Sequence, residues 1–283
     1  MKIIFSKRCI EYAFPGHPES PVRLSSAYSL LKEKKFEFKE PQSAKEEDIL
    51  RVHTSNLLEQ VKNGQFLDPD TPNSKQMFEY ALLSCGAAIQ AQELALHDEF
   101  AFSLMRPPGH HATRDSAGGF CYFNNIAVAV SKVIDTVEKA AIIDIDCHHG
   151  NGTQDIFLGD KKILYVSLHQ SPLYPGTGLK SKENCFNFPL PAGTGEEEYL
   201  TVFKKAIEEV KKFAPRLIAV SAGFDTYKDD PLTNVNLEKE TYAKISGLIS
   251  GLKIPAFSVL EGGYSSELAE CIEQYLMGWN RKL

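Results

Sequence analysis

The chain has 283 residues, 43% hydrophobic and 24% charged, enough to bury a large core as one α/β domain spanning 1–283. Its net charge of -6, with no long Lys/Arg block, disfavours stable binding to nucleic-acid phosphates and tolerates a cationic substrate. The six cysteines form no Cys-x-x-Cys pair, the N-terminus shows no apolar leader, and no apolar run nears the roughly 20 residues that span a bilayer, so a reduced, cytoplasmic protein away from membranes is expected.

Short apolar, β-branched stretches predict strands near 3–6, 101–105, 140–146, 163–169, 217–222 and 256–260. Residues 40–73 are polar and proline-rich, a long excursion suited to forming one wall of a site. The clearest helix is Glu196–Phe213, where Leu200, Phe203, Ile207 and Val210 recur at helical spacing. Thr194 and Glu197 have the spacing of a capping box, and Lys211 and Lys212 suit the negative end of the helix dipole. Continuous apolar strands separated by helices predict a three-layer αβα fold with a mainly parallel sheet, whose site lies at the carboxyl ends of the strands.

The unusual residues fall at those ends. Histidine occurs eight times, and four of the eight form the pairs His110-His111 and His148-His149. Asp144, Asp146 and His148 alternate toward Gly150, which brings three ligand-type side chains to one strand terminus. Arg106 to His111, Cys147 to Asn151, Gly223-Phe224-Asp225 and Glu261-Gly262-Gly263-Tyr264 each follow a predicted strand.

Taken together, His17-Pro18-Glu19-Ser20-Pro21-Val22-Arg23, Pro107-Pro108-Gly109-His110-His111, Gly118 to Asn125, Asp144 to Gln154 and Glu261 to Tyr264 make the chain resemble the zinc-dependent histone deacetylase superfamily of the arginase/deacetylase fold. The Pro-Pro-Gly-His-His form, and Asn151 where class I members carry an acid, make it most similar to class II enzymes and the prokaryotic histone-deacetylase-like amidohydrolases. The resemblance implies Asp146, His148 and Asp225 as metal ligands, leaving a coordination position open for catalysis. Zinc is the implied metal, and this hard ligand set also admits Fe(II). His111 is the implied general base and acid, with His110 in electrostatic support, Asp144 and Asn151 orienting the two imidazoles, and Tyr264, freed to swing by the two preceding glycines, as oxyanion donor. Gly119, Phe120 and Tyr174 match the acyl-lysine channel and Leu232 its rim. Asp144, Asp146, His148, Ser167 and Leu168 match a potassium site, and a second such site falls around Phe157, Asp160 and Ile163.

The activity implied is hydrolysis of N-ε-acetyl-lysine in a peptide or protein, the partner being that substrate or a small acetylated amine. Acetylpolyamine hydrolysis is the alternative. Against it stands Leu232 after Asp230-Pro231, where polyamine-selective relatives tend to carry an acid, although Asp229, Asp230 or Asp70 at the rim would weaken the argument. Arginase-like chemistry wants two metals and more carboxylates. A non-catalytic acetyl-lysine binder should have lost a ligand, a histidine or the tyrosine, and this chain keeps them all. The sequence does not set the oligomeric state; a monomer is the default expectation.

Overall fold

A computed structural model describes residues 1–280; residues 281–283, the end of the expected 1–283 domain, lie outside the described residues. In chain order the strands are β1 (Lys2–Ile4), β2 (Phe38–Lys39), β3 (Ala101–Ser103), β4 (Ala140–Asp144), β5 (Ile163–Gln170), β6 (Cys185–Leu190), β7 (Leu217–Ala222) and β8 (Ala256–Leu260). The helices are α1 (Pro21–Glu33), α2 (Glu46–Ile49), α3 (Ser55–Asn63), α4 (Met77–Ala95), α5 (Asn125–Val137), α6 (Asn151–Phe157), α7 (Glu196–Phe213), α8 (Lys239–Ser250) and α9 (Leu268–Asn280).

All eight strands join one sheet in the order β2-β1-β3-β8-β7-β4-β5-β6, and every pairing is parallel. Every residue of β4, β5, β7 and β8 is buried, as expected of strands covered on both faces. Helices α4 and α5 pack together on β1, β3, β4, β7 and β8, while α1, α9, α8 and α7 pack in series. No described helix is long and apolar enough to cross a membrane.

The predicted strands all form, 217–222 and 256–260 with the expected ends and the other four with shifted ones. β4 stops at Asp144, so Asp146 and His148 project from the loop beyond it rather than from the strand. β2 and β6 have no counterpart in the expected set. Helix α7 spans the predicted residues, but the capping box does not form: Gly195 is the N-cap, and the Thr194 hydroxyl donates to the Pro191 carbonyl at 2.8 Å. Burial selects Tyr199 with Phe203, Ile207 and Val210, leaving Leu200 half-buried.

The sheet order has a direct consequence for the site. β3, β8, β7 and β4 are consecutive neighbours in the middle of the sheet, so the four polar strand exits scattered from Arg106 to Tyr264 become adjacent at the carboxyl ends of the strands.

Candidate active site

A cavity of about 800 Å³ opens over these exits, lined at its floor by His110, His111, Asp146, His148, Gly262 and Tyr264. Asp146 and His148 arrive from β4 and Asp225 from β7, and one ligand atom from each lies within 4.8 Å of the others. His148 Nδ1 is 2.7 Å from Asp225 Oδ2 and 3.2 Å from Asp146 Oδ1. The rest of the trio is anchored by backbone: Cys147 N–H donates to Asp225 Oδ1 at 2.7 Å, and Gly262 N–H to Asp146 Oδ2 at 2.8 Å.

Two buried carboxylates beside one imidazole need a positive charge among them. Burial opposes a charge on His148, yet Asp225 and Asp146 push its imidazole up to about 10. Burial and the Asp146 charge push the Asp225 carboxyl up to about 7. Two aspartates and one histidine converging in this way fit a divalent cation, the donor set of an open, catalytic site.

The histidine pair occupies the loop after β3. His110 Nδ1 donates to Asp144 Oδ2 at 3.0 Å, and the same oxygen accepts the Tyr165 hydroxyl at 2.9 Å. Burial works against a charge on His110, but Asp144 and Asp146 push it up to about 10, so this imidazole is protonated at neutral pH. His111 Nδ1 donates to Asn151 Oδ1 at 2.7 Å. Burial, then the charges on His110 and His148, hold His111 well below the ordinary range, so it is neutral with its Nε2 lone pair free. The two rings lie 4.0 Å apart and are thus driven to opposite protonation states.

Tyr264 borders the same floor. Its backbone N–H donates to Asp230 Oδ2 at 2.7 Å, the Arg23 guanidinium lies 4.7 Å from its ring centre, and Phe120 meets the ring edge-on at 5.9 Å. Its hydroxyl has no hydrogen-bond partner among the described residues, as befits a donor facing an open pocket. Gly262, two residues before Tyr264, serves close packing: a Cβ there would lie 2.6 Å from Asp146 Oδ2 and 2.8 Å from Asp225 Oδ2. Gly263 adopts φ +118°, a left-handed conformation that favours glycine, and the Tyr264 backbone beyond it is held by Asp230.

Phe120 and Tyr174 line the channel walls, with Gly119 between His111 and Tyr174, where a Cβ would come within 2.6 Å of the imidazole. Leu232 stands at the mouth, 37% exposed. Residues 66–73, part of the polar excursion, form the facing wall and bring Asp68 and Asp70 to the mouth. Asp230 is buried instead, its carboxylate also accepting the Leu232 N–H at 3.0 Å.

Below the floor, Asp144 on β4 pairs in register with Ser167 on β5, and Leu168 follows. The Ser167 hydroxyl bonds His169 Nδ1 at 2.9 Å. Neither the Asp146 nor the His148 carbonyl accepts a hydrogen bond among the described residues, which suits a monovalent cation held by backbone oxygens. At the second location, the Asn184 side-chain amide donates to the carbonyls of Phe157, at 2.8 Å, and Ile163, at 3.0 Å.

The structure adds residues to which the sequence reading gave no role. Asp230 pins Tyr264, Tyr165 supports Asp144, and His17 borders the mouth, its ring 4.7 Å from that of Phe120 and its Nε2–H donating to the Asp70 carbonyl at 2.9 Å. Glu19 pairs with both Arg106 and Arg23 in full burial. His17, Glu19 and Arg23 belong to a motif legible in the sequence; Asp230 was noted there only as an acid at the rim, where it is instead buried, and Tyr165 carried no signal of its own.

Comparison with known proteins gives a consistent result. A family model described as histone deacetylase domain matches residues 17–278. A probable deacetylase of Archaeoglobus fulgidus is 38% identical, over 94% of this chain and 81% of its own. A histone deacetylase-like amidohydrolase of Pseudomonas aeruginosa is 35% identical, over 89% of this chain and 74% of its own. The crystal structure of an acetylpolyamine aminohydrolase from Burkholderia pseudomallei superposes with a TM-score of 0.94 at 26% identity, covering 99% of this chain and 98% of that one.

Proposed function

The chain belongs to the histone deacetylase family, and on that premise we propose that it hydrolyses the amide of N-ε-acetyl-lysine, in a peptide or protein, to lysine and acetate. The observation that carries this reading is the convergence of Asp146, His148 and Asp225 beside His110, held by the Asp144 carboxylate, and His111, held by the Asn151 amide, at the foot of a channel walled by Phe120 and Tyr174.

Asp146, His148 and Asp225 would hold a divalent cation, zinc by family with Fe(II) as competitor, and when bound it supplies Lewis acidity toward the amide carbonyl and the attacking water. His111 Nε2 takes the proton of that water and later returns it to the departing lysine amine. Asn151 keeps His111 in the tautomer this requires. His110, charged by Asp144, stabilises negative charge as it develops. The Tyr264 hydroxyl donates to the oxyanion. Backbone oxygens of Asp144, Asp146, His148 and Leu168 with the Ser167 hydroxyl would hold potassium beneath the ligand loop.

Acetate release from acetyl-lysine peptides, with Tyr264→Phe as control, tests the reading. The variant is expected to lose kcat by about 10² to 10³ with KM nearly unchanged, as when other oxyanion donors are removed. A Tyr264→Phe enzyme of near wild-type kcat would take the tyrosine out of the reaction.

A second reading, acetylpolyamine hydrolysis, draws on Asp68 and Asp70 at the mouth, two carboxylates able to meet a distal ammonium. The burial of Asp230, tied to two backbone N–H groups, and the apolar Leu232 beside it favour the peptide substrate.

A further inference from the structure

Glu261 takes no part in the chemistry above, yet it is a fully buried carboxyl at the centre of the site. It leaves β8 three residues before Tyr264. Its Oε2 accepts the backbone N–H of Gly109 at 2.7 Å and of His110 at 3.1 Å, while Oε1 accepts the Ser221 hydroxyl on β7 at 3.0 Å. Its own main chain is fixed as well: the N–H donates to the Ala222 carbonyl at 3.0 Å and the carbonyl accepts Arg23 Nη2 at 2.6 Å.

A carboxyl taken wholly out of water is costly, and three convergent donors are what make it tolerable. Other anchors of the histidine loop lead elsewhere. The Pro107 carbonyl accepts from Ser84 on α4 and Asn125 on α5, and the His110 carbonyl accepts the N–H groups of Gly152 and Thr153 on α6. Of these anchors, Glu261 is the one that belongs to the segment leading from β8 to Tyr264. The loop is also too tightly packed to find a substitute: a Cβ on Gly109 would stand 2.5 Å from Asn125 N.

We propose that Glu261 is a positioning residue for the hydrolysis, locking the His110-His111 loop to the segment that leads from β8 to Tyr264, so that the base and the oxyanion donor address one amide carbon. The inference rests on the hydrolytic reading and goes beyond it by naming the side chain that sets the distance between the reaction's two halves. The effect is on the rate, because a misplacement of about 1 Å between reacting groups costs about 10²-fold.

Three measurements on the full-length, zinc-loaded protein decide it: kcat and KM on an acetyl-lysine peptide, zinc content, and amide hydrogen exchange of the 107–112 segment. Glu261→Ala is expected to lose about 10²-fold in kcat with KM within about 3-fold, to keep its zinc, and to exchange faster across 107–112. Glu261→Gln should recover most of that loss, since its amide oxygen still accepts both N–H groups while its NH₂ turns to the Ser221 hydroxyl. Ser221→Ala, which frees only Oε1, should show a smaller loss in the same direction and keeps the test alive if Glu261→Ala fails to fold. Near wild-type kcat in Glu261→Ala, or unchanged exchange across 107–112 in both Glu261→Ala and Ser221→Ala, overturns the inference. A wild-type enzyme that releases acetate from no acetylated amine sinks the hydrolytic reading instead, and the exchange data still report whether Glu261 holds the loop.

Discussion

His111 donates its Nδ1–H to the side-chain carbonyl of Asn151 at 2.7 Å, a neutral partner where its neighbour His110 has the Asp144 carboxylate. That difference, with burial and the nearby charges, leaves His111 unprotonated and His110 charged.

Asn151→Asp should therefore move the acid limb of kcat/KM to higher pH. A carboxylate on Nδ1 favours the imidazolium, so a larger fraction of His111 is protonated, and unable to act as base, at any given pH. A pH profile of the variant beside wild type is the check. A limb that stays in place or moves to lower pH would mean that His111 is not the titrating base.

Asp225→Ala should abolish tight binding of the divalent cation, because it removes one of three converging ligands and leaves the Cys147 N–H without its acceptor. Metal analysis of the folded variant tests this directly. One tightly bound metal per chain in that protein would remove Asp225 from the ligand set.

Acid should destabilise the fold through His53, which is 4% exposed. Its Nδ1 donates to the Thr113 carbonyl and its Nε2 accepts the Asn124 N–H, both at 2.9 Å, so only the neutral ring satisfies its surroundings. Burial pushes this imidazole down to about 4. The unfolded chain binds the proton first, near pH 6.5, so this contribution is complete above about 6.5 and is lost as pH falls toward 4, on the order of 3 kcal/mol at most. Denaturant unfolding from pH 7 to 4, wild type against His53→Gln, is the measurement. An equal slope in the two proteins would contradict the assignment.

The histidine pairs stood out because histidine is scarce and each pair follows an apolar strand, whereas Asp225, Tyr264, Phe120 and Tyr174 were singled out by the motifs that carry the family resemblance. Their convergence was also legible in outline, since parallel sheets gather ligands at carboxyl ends. The contacts that Glu261 and Asp230 make were not. Their partners lie far away in the chain, Gly109 and His110 in one case and Tyr264 in the other, and a lone acid gives no hint of a backbone N–H it will meet only after folding. β6 escaped notice because Asn187 and Pro189 interrupt its apolar pattern, as an edge strand tolerates, and β2 is two residues long. The capping box at Thr194 failed because the Pro191 carbonyl claims the hydroxyl first.

The central claim is that the channel serves an acyl-lysine side chain. Its most direct test is kcat/KM of the zinc-loaded enzyme for an acetyl-lysine peptide against N-acetylspermidine. With Leu232 at the mouth and Asp230 turned inward, the account predicts that the peptide is preferred. A tenfold or greater preference for acetylspermidine, about 1.4 kcal/mol in transition-state binding, would contradict it and assign Asp68 and Asp70 to the polyamine's distal ammonium.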